Sequence, residues 1–148
     1  MIIEGRIVEN FTLAEMMNNQ AKEDVKLVLT PELVEHAQMM QELRDWAVAT
    51  FPKVFGKNGL IVSSWYRTKA FNKACGGYYI SCHLDGLATD INNIPESLYD
   101  RFTTAWQVIC SHHNKIGGIE LYTWGMHFDS DSGRFGTKVF RVNDNRGK

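Results

Sequence analysis

Cysteine is scarce, and what there is follows no pairing pattern: Cys75, Cys82 and Cys110 form no Cys-x-x-Cys unit. Three thiols cannot all close internally, which argues for a reducing site of synthesis and against a disulfide framework. Proline is held to three positions, and no stretch rich in Pro, Gly or Ser divides the chain. Long apolar runs are missing as well, since none approaches the ~20 residues of a membrane helix. The opening Met1-Ile2-Ile3-Glu4-Gly5-Arg6 brings acid and base too early for a secretory signal. Charge of one sign is not in excess either. Sixteen basic against 17 acidic residues leave a net −1, which gives no general attraction to nucleic acid or to an anionic membrane. Neither a nucleic-acid partner nor membrane insertion is expected.

What remains is an ordinary globular composition, 44% hydrophobic and 22% charged over 148 residues. That length suits one domain, residues 1–148, with a core large enough to fold without crosslinks. Thr30-Pro31-Glu32 reads as an N-cap, a first-turn proline and an early acid. Behind it Leu33, Ala37, Met40, Leu43, Ala47 and Phe51 recur at helical steps and mark one buried stripe, which Pro52 ends. Leu60-Ile61-Val62 reads as a buried strand, and Ala70 to Cys75 as a short helix stopped by Gly76-Gly77. A second amphipathic helix is expected from Pro95 to His112, with Leu98, Phe102, Ala105 and Ile109 inward. Ile116 to Tyr122 and Gly125 to Phe128 suit a hairpin, and Lys138 to Val142 alternates weakly as a further strand. Helices followed by short strands and tight turns imply an α+β domain with a small, mainly antiparallel sheet.

The informative segment is Ser81-Cys82-His83-Leu84-Asp85-Gly86-Leu87-Ala88-Thr89-Asp90. An imidazole and a carboxylate stand seven positions apart, with Gly86 between them to permit a tight reversal. Leu87 to Ile91 reads as the start of a strand that aims Asp90 back towards His83. Another imidazole follows in Gly125-Met126-His127-Phe128-Asp129, inside a further expected strand. Three N/O ligands with one position left open is the arrangement of a catalytic zinc, whereas a structural zinc more often takes four ligands rich in cysteine. By spacing alone this signal is weak, because a His and an Asp at that distance are common.

Several motifs in order sharpen it. Ser81-x-His83-x-x-Gly86-x-Ala88-x-Asp90 with a distant His127 resembles the zinc-binding signature of the D-Ala-D-Ala carboxypeptidase family. That family includes phage L-alanyl-D-glutamate endolysins and, more distantly, the Hedgehog signalling domain. Ser64-Trp65-Tyr66-Arg67 is similar to its Ser-Gly-Tyr-Arg segment. Asn72 with Gly76-Gly77, and Asn10-Phe11-Thr12-Leu13-Ala14-Glu15, also match places in such proteins. The likeness spans about residues 10–129. It implies a Hedgehog/D-Ala-D-Ala peptidase-like fold and a monomeric zinc peptidase acting on amide bonds of peptidoglycan peptides. The metal ligands implied are His83, Asp90 and His127. A small phage or prophage endolysin is the form it suggests, made in the cytoplasm and reaching the wall by lysis or a carrier. Two positions depart from the pattern. Trp65 stands where glycine is usual, removing backbone freedom just before Tyr66 and Arg67. Cys82 replaces a polar residue and is expected to face away from the metal.

The general base is not given by the pattern, because Trp124 and Gly125, where some relatives place an acid or a His, cannot accept a proton. If Tyr122 to Gly125 is a tight hairpin turn, Glu120 pairs across from His127 and shares its face. Asp129, two residues past His127, shares that face by alternation, and would otherwise orient a ligand. Both are kept, with Glu120 favoured. Arg67 is the candidate contact for a substrate carboxylate or a developing oxyanion, while Ser81 and Tyr66 are candidate substrate donors. A zinc module without catalysis, and a phage structural or tail-associated component, are the rival readings. His36 and the pair His112-His113 read as structural. The basic residues Arg134, Lys138, Arg141, Arg146 and Lys148 near the end read as a solvated tail.

Overall fold

A computed structural model describes residues 6–17, 29–77, 81–131 and 138–147. Of the expectations above, Met1 to Gly5, Arg134 and Lys148 lie outside the described residues. The chain begins with a small ribbon, β1 (Arg6–Val8) and β2 (Phe11–Thr12), followed by the one-turn α1 (Leu13–Met16). Thr12 and Glu15 form a reciprocal capping box at its start. The long helix α2 (Pro31–Thr50) starts as expected, the Thr30 hydroxyl accepting from the Leu33 amide at 3.1 Å with Pro31 in the first turn. Its buried stripe includes Leu33, Ala37, Met40, Leu43 and Ala47, and is widened by His36 and Met39. Pro52 ends α2 and at once opens the short α3 (Pro52–Phe55), since a fixed φ and a missing N–H suit a first helical turn.

The sheet has five strands in the order β3 (Val62–Ser64), β4 (Ala88–Ile91), β6 (Met126–Asp129), β5 (Gly118–Leu121) and β7 (Arg141–Asp144). Three of its four pairings are antiparallel. The fourth, β5 with β7, is parallel. Two strand expectations need correction. The strand placed at Leu60–Val62 begins only at Val62, because Ile61 is exposed and its amide donates to the Asn93 side chain instead of a ladder. The strand placed at Lys138–Val142 lies at Arg141–Asp144 and runs parallel, since the chain returns from β6 across the sheet instead of turning tightly.

Between β3 and β4 stand α4 (Lys69–Ala74), capped by Thr68, and a 3-10 turn at Cys82–Asp85. After β4, a 3-10 turn at Glu96–Leu98 leads into α5 (Tyr99–His112). Phe102 and Ile109 are inward as expected, Leu98 and Ala105 only half so, and Tyr99, Trp106 and Cys110 complete the buried face.

Alternation divides the sheet into two faces with different duties. Thr89, Ile91, Met126, Phe128, Ile119 and Leu121 fall on one face, and all are buried. There α2 and α5 are held against it, with Phe128 in ring contact with Phe102 and Trp106. Burying side chains of this size stabilises by about 1.5–3 kcal/mol each. His36 reaches from α2 to this side, its ring nitrogens bonded to the hydroxyls of Ser130 (2.7 Å) and Thr89 (2.9 Å). Desolvation pushes its pKa down to about 3, so it is a neutral core residue, as read from the sequence. The opposite face carries Ala88, Asp90, His127, Asp129, Gly118 and Glu120.

Candidate metal centre

The cross-strand register aligns Asp90 on β4, His127 on β6, Glu120 on β5 and Asn143 on β7 in one row. His83 joins this row from the 3-10 turn. Ser81 caps that turn, its hydroxyl accepting from the His83 amide at 3.2 Å, and Gly86 closes it at φ +72°. That left-handed conformation disfavours any side chain and reverses the chain into β4. Thus the Gly86 reversal does what the spacing implied and brings Asp90 under His83.

One donor atom from each of His83, Asp90 and His127 lies within 4.8 Å of the others, and all three residues are buried. Asp90 Oδ1 is 3.3 Å from His83 Nε2 and 2.9 Å from His127 Nδ1. Metal–ligand bonds of ~2.0–2.1 Å at tetrahedral angles would put neighbouring donors ~3.3 Å apart, so the set fits a zinc-sized cation. The other nitrogen of each ring is also fixed. His83 Nδ1–H donates to the Trp65 carbonyl at 2.6 Å, an acceptor that determines the tautomer and leaves Nε2 free for a metal. His127 Nε2 faces Asp129 Oδ2 at 3.1 Å, which directs Nδ1 towards Asp90.

Charge in the site is balanced by these contacts. Burial alone would lower the His127 pKa, but hydrogen bonds to Asp129 and Asp90, together with their charges, outweigh it and raise it to about 10. Metal binding at Nδ1 therefore releases a proton. Burial would raise Asp90, yet the charge of His83 and hydrogen bonds from both imidazoles bring it far below the usual carboxylate range. Asp129 is likewise opposed by burial but lowered to about 2 by His127 and Arg141.

The two candidate bases sit differently. Glu120 pairs with His127 in the register, lies 3.5 Å from its Nε2 and keeps 27% of its side chain exposed. Asp129 is fully buried, and both its oxygens are engaged by Arg141 and one by His127. Arg67 gives Nε to the Ser64 hydroxyl (3.0 Å), Nη1 to Asn72 Oδ1 (3.3 Å) and Nη2 to Asp90 Oδ2 (3.4 Å). It thus braces a ligand from the side away from the imidazoles. Tyr66 is half-buried, its amide bonded to the Met16 carbonyl at 2.9 Å, which ties α1 to the site.

Trp65 secures this segment where loss of glycine freedom suggested difficulty. Its indole is fully buried against Phe11 and His36 and donates to the Gly86 carbonyl at 2.8 Å. The next residue but one, Arg67, donates its amide to the His83 carbonyl at 2.9 Å. Cys82 is buried, is in no disulfide among the described residues, and is not among the three donors.

Some residues at the site were not legible as such. Arg141, read as part of a solvated tail, instead forms an ion pair with buried Asp129, which corrects that reading. Its only sequence signal was the weak alternation around it. Arg146, from the same stretch, pairs with Asp144 and lies over the Tyr99 ring. Tyr122 and Trp124, on the β5–β6 turn, stack with ring centres 4.8 Å apart. Burial raises the Tyr122 pKa, as do the charges of Glu120 and Asp90, which puts its phenol beside the site. His113, as expected, is held structurally at the end of α5, between Glu35 and Glu42 of α2.

A family model described as Peptidase M15 matches residues 9–129. No curated protein matches the chain.

Proposed function

The chain belongs to the peptidase M15 family, whose members are metal-dependent, and from that membership we propose a zinc peptidase that hydrolyses amide bonds in peptidoglycan peptides. One observation carries the metal part of this reading: a carboxylate oxygen stands 3.3 and 2.9 Å from two imidazole nitrogens, all three donors lie within 4.8 Å of one another, and each imidazole has its remaining nitrogen fixed. In this reading His83 Nε2, Asp90 Oδ1 and His127 Nδ1 hold the zinc. When bound there, it polarises a scissile carbonyl and makes water a nucleophile near neutral pH.

The remaining work belongs to the chain's own side chains. Glu120 takes the proton of the attacking water at a carboxylate oxygen and delivers it to the departing amine. Its partial exposure favours it over Asp129, whose oxygens are buried and engaged. Arg67 holds Asp90 in place, and its guanidinium is the proposed contact for a substrate carboxylate or oxyanion. Ser81 and Tyr66 are the proposed hydrogen-bonding contacts to substrate, and the stacked Tyr122–Trp124 pair is the proposed apolar one. Peptides of the bacterial wall are the proposed partners of a monomer that reaches them after lysis or by a carrier, as a phage or prophage endolysin would.

A peptidoglycan digest analysed by mass spectrometry tests the proposal. New amino groups, released by the zinc-loaded protein and lost with chelator, identify both the activity and the bond cut. A fully zinc-loaded protein that cleaves no muropeptide would leave a zinc-binding module and refute the peptidase reading.

A further inference from the structure

Asp129 is fully buried beside His127, and a carboxylate in that position requires a cation. The cation comes from β7, twelve residues beyond the end of the stretch that the family model matches. Arg141 Nη1 donates to Asp129 Oδ1 at 3.3 Å and Nη2 to Oδ2, the two-pronged geometry that only guanidinium provides.

Sheet register explains how a side chain two strands away arrives there. Asp129 on β6 pairs with Gly118 on β5, and Gly118 pairs with Arg141 on β7. Arg141 therefore crosses directly over Gly118. A Cβ built on Gly118 would stand 2.6 Å from Arg141 Nη1 and 2.8 Å from its Cγ and Cζ, so only the missing side chain leaves the path open. This row lies two residues along from the row of Asp90, His127 and Glu120, on the same face.

We infer that Arg141 is a positioning residue for the metal centre, acting through Asp129 to hold His127 with Nε2–H on the carboxylate and Nδ1 towards the metal. The inference rests on the metal-centre reading above. Without the guanidinium, the Asp129 side chain keeps only the Asp131 amide at 3.3 Å and His127 itself as partners among the described residues, and the His127 ring is held less firmly. Changing partners that orient ligating histidines typically costs ~10- to ~100-fold in metal affinity. Arg141 acts one contact further out, so a loss of about tenfold is expected.

The test is titration of metal-free protein with Co2+, read as affinity and as the visible ligand-field spectrum, alongside circular dichroism of the metal-free form. Arg141→Ala should weaken Co2+ binding about tenfold and alter the spectrum. Arg141→Lys should recover part of the affinity, because charge returns without the fork. Gly118→Ala keeps every charge yet displaces the guanidinium, and should weaken binding as well. If Arg141→Ala and Gly118→Ala both bind Co2+ with wild-type affinity and spectrum, the inference is overturned. Should Arg141→Ala fail to fold, Gly118→Ala decides alone by the same criterion. Wild type that takes up no Co2+ refutes the metal centre itself, an outcome distinct from variants that match a metal-binding wild type.

Discussion

Replacing Glu120 by Gln and Asp129 by Asn separates a proton acceptor from a brace, because the two carboxylates share one face yet differ in access. Glu120 is 27% exposed and 3.5 Å from His127 Nε2, whereas Asp129 has no exposed surface and is bound by Arg141. Glu120→Gln keeps size and removes the acceptor. General-base catalysis contributes ~100- to ~10,000-fold, or about 2.8–5.6 kcal/mol of barrier at ~1.4 kcal/mol per decade. Fold and metal content should be unchanged. Asp129→Asn acts elsewhere: it removes the anionic acceptor that Arg141 and His127 Nε2 share. Breaking a fully buried ion pair costs roughly 3–5 kcal/mol, and here the cost should be smaller because Arg141 keeps 20% of its side chain exposed. Metal affinity should fall ~10- to ~100-fold. The assay is muropeptide turnover by mass spectrometry at matched metal occupancy, with unfolding in urea measured on the same samples. An Asp129→Asn protein at full occupancy that loses a hundredfold or more, beside a nearly active Glu120→Gln protein, would refute the reasoning and move the base to Asp129.

His83→Ala removes one of three donors, so elemental analysis of the purified variant should find the site emptied; undiminished zinc would sink the ligand assignment. Arg67→Lys keeps a charge but loses the contacts to Ser64, Asn72 and Asp90 together. Metal content should survive while turnover falls, and unchanged turnover would restrict Arg67 to a structural role. Gly77→Ala would place a Cβ 2.1 Å from Asn72 Oδ1 and 3.0 Å from Arg67 Nη1. It should destabilise by ~1–3 kcal/mol in urea unfolding, as overpacking does, and a neutral result would show that Asn72 can yield. His36 gives a pH dependence whose sign is fixed by its lowered pKa of about 3. The unfolded chain binds that proton first, so stability present above pH ~6.5 is lost as pH falls towards 3, by up to ~1.4 kcal/mol per unit. Urea midpoints of metal-free protein between pH 6.5 and 4.5 should show this slope, and His36→Gln should flatten it; an unchanged slope would place the titration elsewhere.

Local chemistry is what the sequence carried well. The Thr30-Pro31 cap, the α2 stripe, the Gly86 reversal and the β5–β6 hairpin each depend on residues within a few positions of one another, so their patterns could be read directly. The hairpin even determined a register, since a turn at 122–125 leaves Glu120 opposite His127 and nowhere else. The motif order from residue 10 to 129 likewise pointed to the family. Elements governed by distant partners could not be read in this way. Parallel pairing of β7 with β5 needs a long return of the chain, and weak alternation at 138–142 specifies neither direction nor neighbour. For the same reason Arg141 looked like a solvated charge until the register set it over Gly118 and onto Asp129. Sequence alone favoured Glu120 of the two candidate bases only through an assumed hairpin turn. Periodicity puts Glu120 and Asp129 on one face, but only packing decides that one carboxylate keeps solvent access while the other is buried and bound.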